Sequence, residues 1–202
     1  MKLTTLLLLP LSTSTAFTLA SARSRSAPLR MGLFQSLFSS MSKSYPPPCV
    51  MGDESLMSPK AHGTSPSPVQ KDLRWNCDFS TADRICNFNR HYAEHAGYWT
   101  STSFLNEEGD KEINFYDSNT GKLLFTAPKG RTFEQFVAES KSHGWPSFRD
   151  EETNWDYVRV LPDGETVSVD GTHLGHNLPD GKGNRYCINL VCVAGKPVDG
   201  EL

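Results

Sequence analysis

The chain lacks any run near its start approaching the roughly 20 apolar residues that a membrane-crossing helix needs. Residues 6–9 with Leu11 are short and follow a lysine at position 2, the outline of a signal-peptide core and not of an anchor. It lacks CxxC pairs. The five cysteines, Cys49, Cys77, Cys86, Cys187 and Cys192, are odd in number and scattered, so neither a disulfide framework nor a four-thiolate zinc site can be read from them. At least one thiol is left over for chemistry or for the core. Acids are missing altogether before Asp53. A basic excess is missing from the remainder of the chain: five of the 20 basic residues precede Asp53, so residues 53–202 keep 15 against all 23 acids, a net of −8 with histidine neutral. That balance argues against nucleic acid as a partner, because phosphate contacts need clustered Lys and Arg.

From 12 to 44 the composition is Ser- and Thr-rich, with Arg23, Arg25, Arg30 and Lys43 and no acid, as in an organelle transit peptide. A signal-type core running into such a stretch, with Ala16-Phe17 at the junction, resembles the two-part plastid presequence of algae whose plastids lie inside extra membranes. The secretory pathway is the alternative. Residues 1–44 are therefore expected to be a targeting presequence, without stable membrane anchoring. Residues 45–71, with Pro46, Pro47, Pro48, Pro59, Pro66 and Pro68 among Ser and Gly, are expected to be a flexible linker, and 72–202 the folded domain.

Within that domain, Ser80 and Asp83 suit a helix start. Ile85, Phe88, Tyr92 and Ala96 recur at spacings of three and four, predicting a helix over 81–95 that stops at Gly97. Short β-like runs come next at 98–105, 112–117, 122–127, 155–161, 166–169 and 185–193, with Asn119-Thr120-Gly121 and Asp163-Gly164 as turns. Residues 132–140 suit a second short helix. The fold class is mainly β (α+β), antiparallel, with one or two helices.

In the last run Arg185, Cys187 and Asn189 alternate with Tyr186, Ile188 and Leu190, so a period of two puts the first three on one face and the others in apolar packing. A cation two residues away favours the thiolate and is expected to lower the Cys187 pKa from its free value of roughly 8.5. The bland alternative is a buried small hydrophobe. Cys192 is assigned to that role, since along an extended strand it lies roughly 17 Å from Cys187 on the other face, out of disulfide reach. His173 and His176, with Asp180 four residues on, are expected in a Gly- and Pro-bounded loop. They suit proton transfer to a group at Cys187, or metal binding if Cys187 joins them. In Gly144-Trp145-Pro146-Ser147-Phe148, two aromatics sit among residues that fix an irregular backbone, as in a pocket wall suited to a methyl group.

These three blocks, 144–148, His173-Leu174-Gly175-His176 with Pro179-Asp180, and Arg185-Tyr186-Cys187-Ile188-Asn189, resemble the signature blocks of the methionine-R-sulfoxide reductases, in that family's order. The likeness is densest over 144–193. It extends to about residue 110 through 115–125, which is similar to the family's first β-hairpin; it is loose over 72–105 and absent over 1–70. The resemblance implies two antiparallel sheets packed around the site. It makes Cys187 the nucleophile on the sulfoxide sulfur, leaving a sulfenic acid that an external thiol, such as thioredoxin, glutaredoxin or glutathione, must reduce. His173 and His176 would orient water and donate the proton, with Asn189 assisting; Asp180 and Arg185 would shape the electrostatics; Trp145 would cup the substrate methyl and Phe148 help shape the pocket. The partners implied are oxidised proteins carrying methionine-R-sulfoxide, and the role is protein repair under oxidative stress.

The sequence departs from the family in three places. Where many relatives carry CxxC pairs for a structural zinc, Asp117, Thr120, Val167 and Asp170 stand here, so no zinc or other cofactor is expected. Where a recycling cysteine is frequent, there is His143, leaving Cys86, Cys77, Cys49 or an external thiol to resolve the sulfenic acid. The connection between Asp180 and Arg185 is shorter than usual. These departures keep a second reading open, a non-catalytic sulfoxide-binding or protein-interaction module on the same fold.

Overall fold

The computed structural model describes residues 44–107 and 111–198, so nearly all of the expected presequence lies outside the described residues. Among the described residues, β1 (Ile113–Tyr116) and β2 (Leu123–Ala127) form an antiparallel hairpin. A second antiparallel sheet is built from β3 (Ser147–Phe148), β4 (Val158–Val160), β5 (Glu165–Ser168), β6 (His173–Asn177) and β7 (Tyr186–Ile188), in spatial order β3-β7-β6-β5-β4. Two α-helices complete it, α1 (Phe79–Phe88) and α2 (Phe133–His143). The α+β class with two antiparallel sheets agrees with the sequence reading. None of the described helices is long and apolar enough to cross a membrane.

The core is aromatic. Phe104, Phe115, Phe125, Phe136 and Phe148 are fully buried in one cluster, with Phe148 stacked on Phe125 at 4.4 Å between ring centroids. Tyr186, Ile188 and Leu174 close it from the larger sheet. α2 is held in register by a capping box, Thr132 with Gln135, and lies on β3.

Several local expectations give way to tertiary contacts. α1 starts at Asp78, whose carboxylate accepts from the Thr81 amide at 2.7 Å, and ends at Phe88 instead of continuing to 95. A longer helix would need the Asn87 carbonyl for residue 91, but the Thr64 amide has taken it at 2.9 Å. Tyr92, expected on the buried face, is 67% exposed. Residues 98–105 form two 3-10 turns, Tyr98–Ser101 and Ser103–Asn106, and not a strand. There the Thr100, Ser101 and Thr102 hydroxyls donate to carbonyls three residues back, competing with any ladder. The last run is extended only to Ile188; Leu190–Cys192 is a 3-10 turn, so Cys192 does not continue the strand.

Residues 45–71 are not a free linker either. Residues 50–52 lie along the open edge of β4, the Val160 amide donating to the Val50 carbonyl at 3.0 Å and the Gly52 amide to the Val160 carbonyl at 2.9 Å. Cys49, Met57 and Val69 are buried. Despite its prolines the segment forms a 3-10 turn at Glu54–Met57 and covers a sheet edge that would otherwise be unpaired.

Candidate active site

The histidines lie on a strand and not in a loop. β6 pairs with β7 on one side and β5 on the other, with His176 directly opposite Cys187. Side chains so opposed share a face, with Cβ atoms roughly 4.5–5.5 Å apart. Residues three apart on a regular strand would point to opposite faces. Here the β5–β6 register slips: Thr166 pairs with Gly175 and Val167 with His173, inserting Leu174 as an extra residue. Leu174 turns into the core, and the two imidazoles emerge on one side, their ring centroids 5.6 Å apart. Gly175 is required by close approach, since a Cβ there would stand 2.1 Å from the Cys187 carbonyl oxygen.

Trp145 reaches the same side because α2 ends at Gly144 in the left-handed conformation (φ 92°). Its indole Nε1 donates to the Glu94 carbonyl at 2.9 Å. Cys187, His173, His176, Trp145 and Asn189 thus converge on a single cleft of about 270 Å³, which residues 91–93 also line. The face of β7 that carries Cys187 alternates with the buried Tyr186 and Ile188, as its period of two requires.

The two imidazoles differ. His173 is buried, and its Nδ1 lies 2.6 Å from Oε1 of Glu165, which leaves Nε2 for the cleft. Glu165 is held in turn by Arg90, whose Nε and Nη2 donate to Oε2 at 2.8 and 2.5 Å. Burial alone would raise the Glu165 pKa, but His173 and Arg90 outweigh it and hold the carboxylate below its usual range. His176 is pushed down, first by burial and then by His173 beside it, so its ring is neutral at neutral pH.

The Cys187 thiol corrects the sequence expectation. Burial pushes its pKa up, and this outweighs the lowering by the Arg185 guanidinium. The resting form is the thiol. Asp180 and Arg185 stand behind the cleft and not in it: Asp180 accepts from Arg149 Nη1 and Nη2 at 3.0 and 2.8 Å and lies 3.5 Å from Arg185 Nε. Arg149 holds Asp180 well below the usual carboxylate range. Phe148 does not shape the pocket; β3 turns its ring into the aromatic core. Asn189 lines the cleft, but its amide is engaged with backbone, accepting from the Glu94 amide at 3.0 Å and donating to the Leu174 carbonyl at 3.1 Å.

The recycling candidates are all buried. Cys86 is wholly enclosed with its Sγ 2.7 Å from that of Cys192, Cys77 is buried just ahead of α1, and Cys49 is buried beside Tyr186. Of the four residues that stand where the resemblance would place zinc-binding cysteines, three lack a donor atom or have it engaged by another side chain. Val167 has no ligand atom, Asp117 accepts from the Thr172 hydroxyl, and Asp170 pairs with Lys122. Sequence reasoning missed Glu165, Arg90, Glu94 and the 91–93 wall. Only strand register could have flagged Glu165, which pairs across from His176.

No protein-family model matches the chain. No solved structure matches it. Among curated proteins it is 39% identical over 70 residues to a peptide methionine sulfoxide reductase MsrB of Pseudomonas putida (strain W619), covering 28% of this chain and 50% of that protein. It is 42% identical over 66 residues to a protein of the same name from Pseudomonas entomophila (strain L48), again 28% and 50%. The chain spans about half the length of the curated relatives it matches. Over that part of its length, the protein is similar to the peptide methionine sulfoxide reductases.

Proposed function

We propose that this protein is a peptide-methionine (R)-S-oxide reductase, an oxidoreductase that returns methionine-R-sulfoxide to methionine through a sulfenic acid on Cys187. The observation that carries the reading is the convergence of one thiol, two unlike imidazoles and an indole on one cleft small enough for a methyl sulfoxide. The neutral His176 ring, opposite Cys187, takes the thiol proton as the sulfur attacks the sulfoxide sulfur. His173, backed by the Glu165 carboxylate, donates a proton to the sulfoxide oxygen. The protonated oxygen passes from the methionine sulfur to the Cys187 sulfur as the transient S–S bond and the S–O bond to methionine break, so thiol and sulfoxide become sulfenic acid and thioether. A first external thiol condenses with that sulfenic acid and releases water; a second reduces the resulting disulfide and returns the thiol. Because the described internal cysteines other than Cys187 are buried, the reductant is a glutathione-type or thioredoxin-type donor. With the methyl against Trp145, the oxygen toward the imidazoles and the sulfur toward Cys187, one epimer fits.

The test is the full chain with dithiothreitol and separated epimers of a peptide methionine sulfoxide, with mass spectrometry of Cys187 after one turnover. Consumption of the R epimer alone, a gain of about 16 Da on Cys187 and loss of both in Cys187→Ser are expected. No turnover under any reductant, with binding kept in Cys187→Ser, would establish the non-catalytic module instead. Plastid delivery belongs to the same proposal, and a fluorescent fusion of residues 1–52 that fills the secretory pathway would reject it.

A further inference from the structure

Glu94 plays no part in that chemistry, yet each of its polar groups is tied to a different piece of the cleft. Its side chain is buried, with Oε1 accepting from the Leu190 amide at 2.9 Å and Oε2 from the Val191 amide at 3.0 Å. These are the first residues of the 3-10 turn after the Cys187 strand, so the carboxylate caps the exit of that strand. Its own amide donates to Oδ1 of Asn189, and its carbonyl accepts from the Trp145 indole. The three residues before it, 91–93, line the cleft. One side chain and one peptide unit therefore connect that segment, the indole, Asn189 and the end of β7.

We propose that Glu94 is a positioning residue, which sets the distance between the Trp145 wall and the Cys187 sulfur by clamping the 91–94 segment to the turn after β7. The inference rests on the reductase reading for its kinetic arm only. A glutamine has one acceptor oxygen, so in Glu94→Gln one of the two clamped amides faces an N–H group and the clamp opens on that side. Aspartate keeps the charge but is one methylene too short to span both amides.

The titratable groups that feel the Glu94 charge are Cys77 and Cys86 at α1, Tyr98 in the turn at 98–101, Cys187 on β7 and Cys192 in the turn after it. Burial pushes the Glu94 pKa up to about 7, so the carboxylate is ionised over the alkaline range in which the Cys187 thiol titrates, and there its negative charge adds to the burial that raises the Cys187 pKa. Removing that charge shifts Cys187 in the opposite direction, which a purely structural loss would not do.

The experiment compares wild type, Glu94→Gln and Glu94→Asp in the full chain by steady-state kinetics on a peptide R-sulfoxide and by the pH profile of Cys187 alkylation with iodoacetamide. Both variants should lose roughly 10- to 100-fold in kcat, as for a misplacement of about 1 Å, with KM changed far less. The alkylation profile should move to lower pH in Glu94→Gln and not in Glu94→Asp. Unchanged kcat in both variants overturns the proposal. So does a fall in kcat with no difference between the two alkylation profiles. If wild type reduces no sulfoxide, the reductase reading falls and the alkylation arm decides the role of Glu94 alone. If Glu94→Gln does not fold, Glu94→Asp carries the kinetic test.

Discussion

The two faces of β7 show how differently neighbouring residues can be held. On one face Tyr186 and Ile188 are fully enclosed, packed with Leu174, Phe148 and the aromatic cluster. On the other, one residue away, Cys187 opens into a cleft where position is set by hydrogen bonds: Glu165 on His173, Asn189 on two backbone groups, Glu94 on the turn beyond. Apolar contact is non-directional and tolerates small shifts, whereas the cleft depends on a handful of directional bonds. Substitutions on the first face should therefore cost stability, and substitutions on the second should cost turnover.

The change that should damage both faces together is Gly175→Ala. Its methyl would meet the Cys187 carbonyl at 2.1 Å and force β6 from β7, so loss of cooperative unfolding and of turnover is expected, read by thermal melts and assay. A variant that kept wild-type activity would mean the two strands can slide apart independently of the site. Phe148→Ala separates the faces from the core side. It should lose about 3–5 kcal/mol in denaturant unfolding, while whatever folds keeps its kcat, because the ring lies outside the cleft.

Glu165→Gln separates them from the cleft side. It removes the charge behind His173, and kcat should fall on the order of 100-fold with KM little changed. The sign of its pH effect is fixed by the depressed Glu165 pKa: the ion pair stabilises wild type above the ordinary carboxylate range and is lost as pH falls through the folded value. The stability gap between wild type and Glu165→Gln should thus begin to narrow as pH falls below about 4 and close only below the folded Glu165 value. A gap independent of pH would show that the pair does not stabilise the fold. The smallest effect belongs to Asp180→Asn. Asp180 is paired with Arg149 at a partly exposed site, so about 1 kcal/mol or less is expected, with activity altered only through Arg185.

Much of this comparison is legible in linear form, and the exceptions share a cause. The alternation of Cys187 with Tyr186 and Ile188 reads correctly because a strand's period is a local property. The second helix reads correctly because its capping box is local too. The first helix reads too long because the Thr64 amide, 23 residues before Asn87, claims its carbonyl. Phe148 reads as a pocket residue because it comes soon after Trp145, but β3 turns its side chain to the opposite side of the sheet.

The sequence by itself determined which groups are available: one thiol flanked by Arg and Asn, two histidines three apart, and an indole between glycine and proline. Only the tertiary structure decided how they are used. An extra residue in β6 brings two histidines to one face, burial overrides the cation beside Cys187, and a glutamate on the neighbouring strand selects the imidazole nitrogen that faces the cleft. Register, desolvation and cross-strand hydrogen bonds all arise between separate segments of the chain, so no pattern within one segment encodes them.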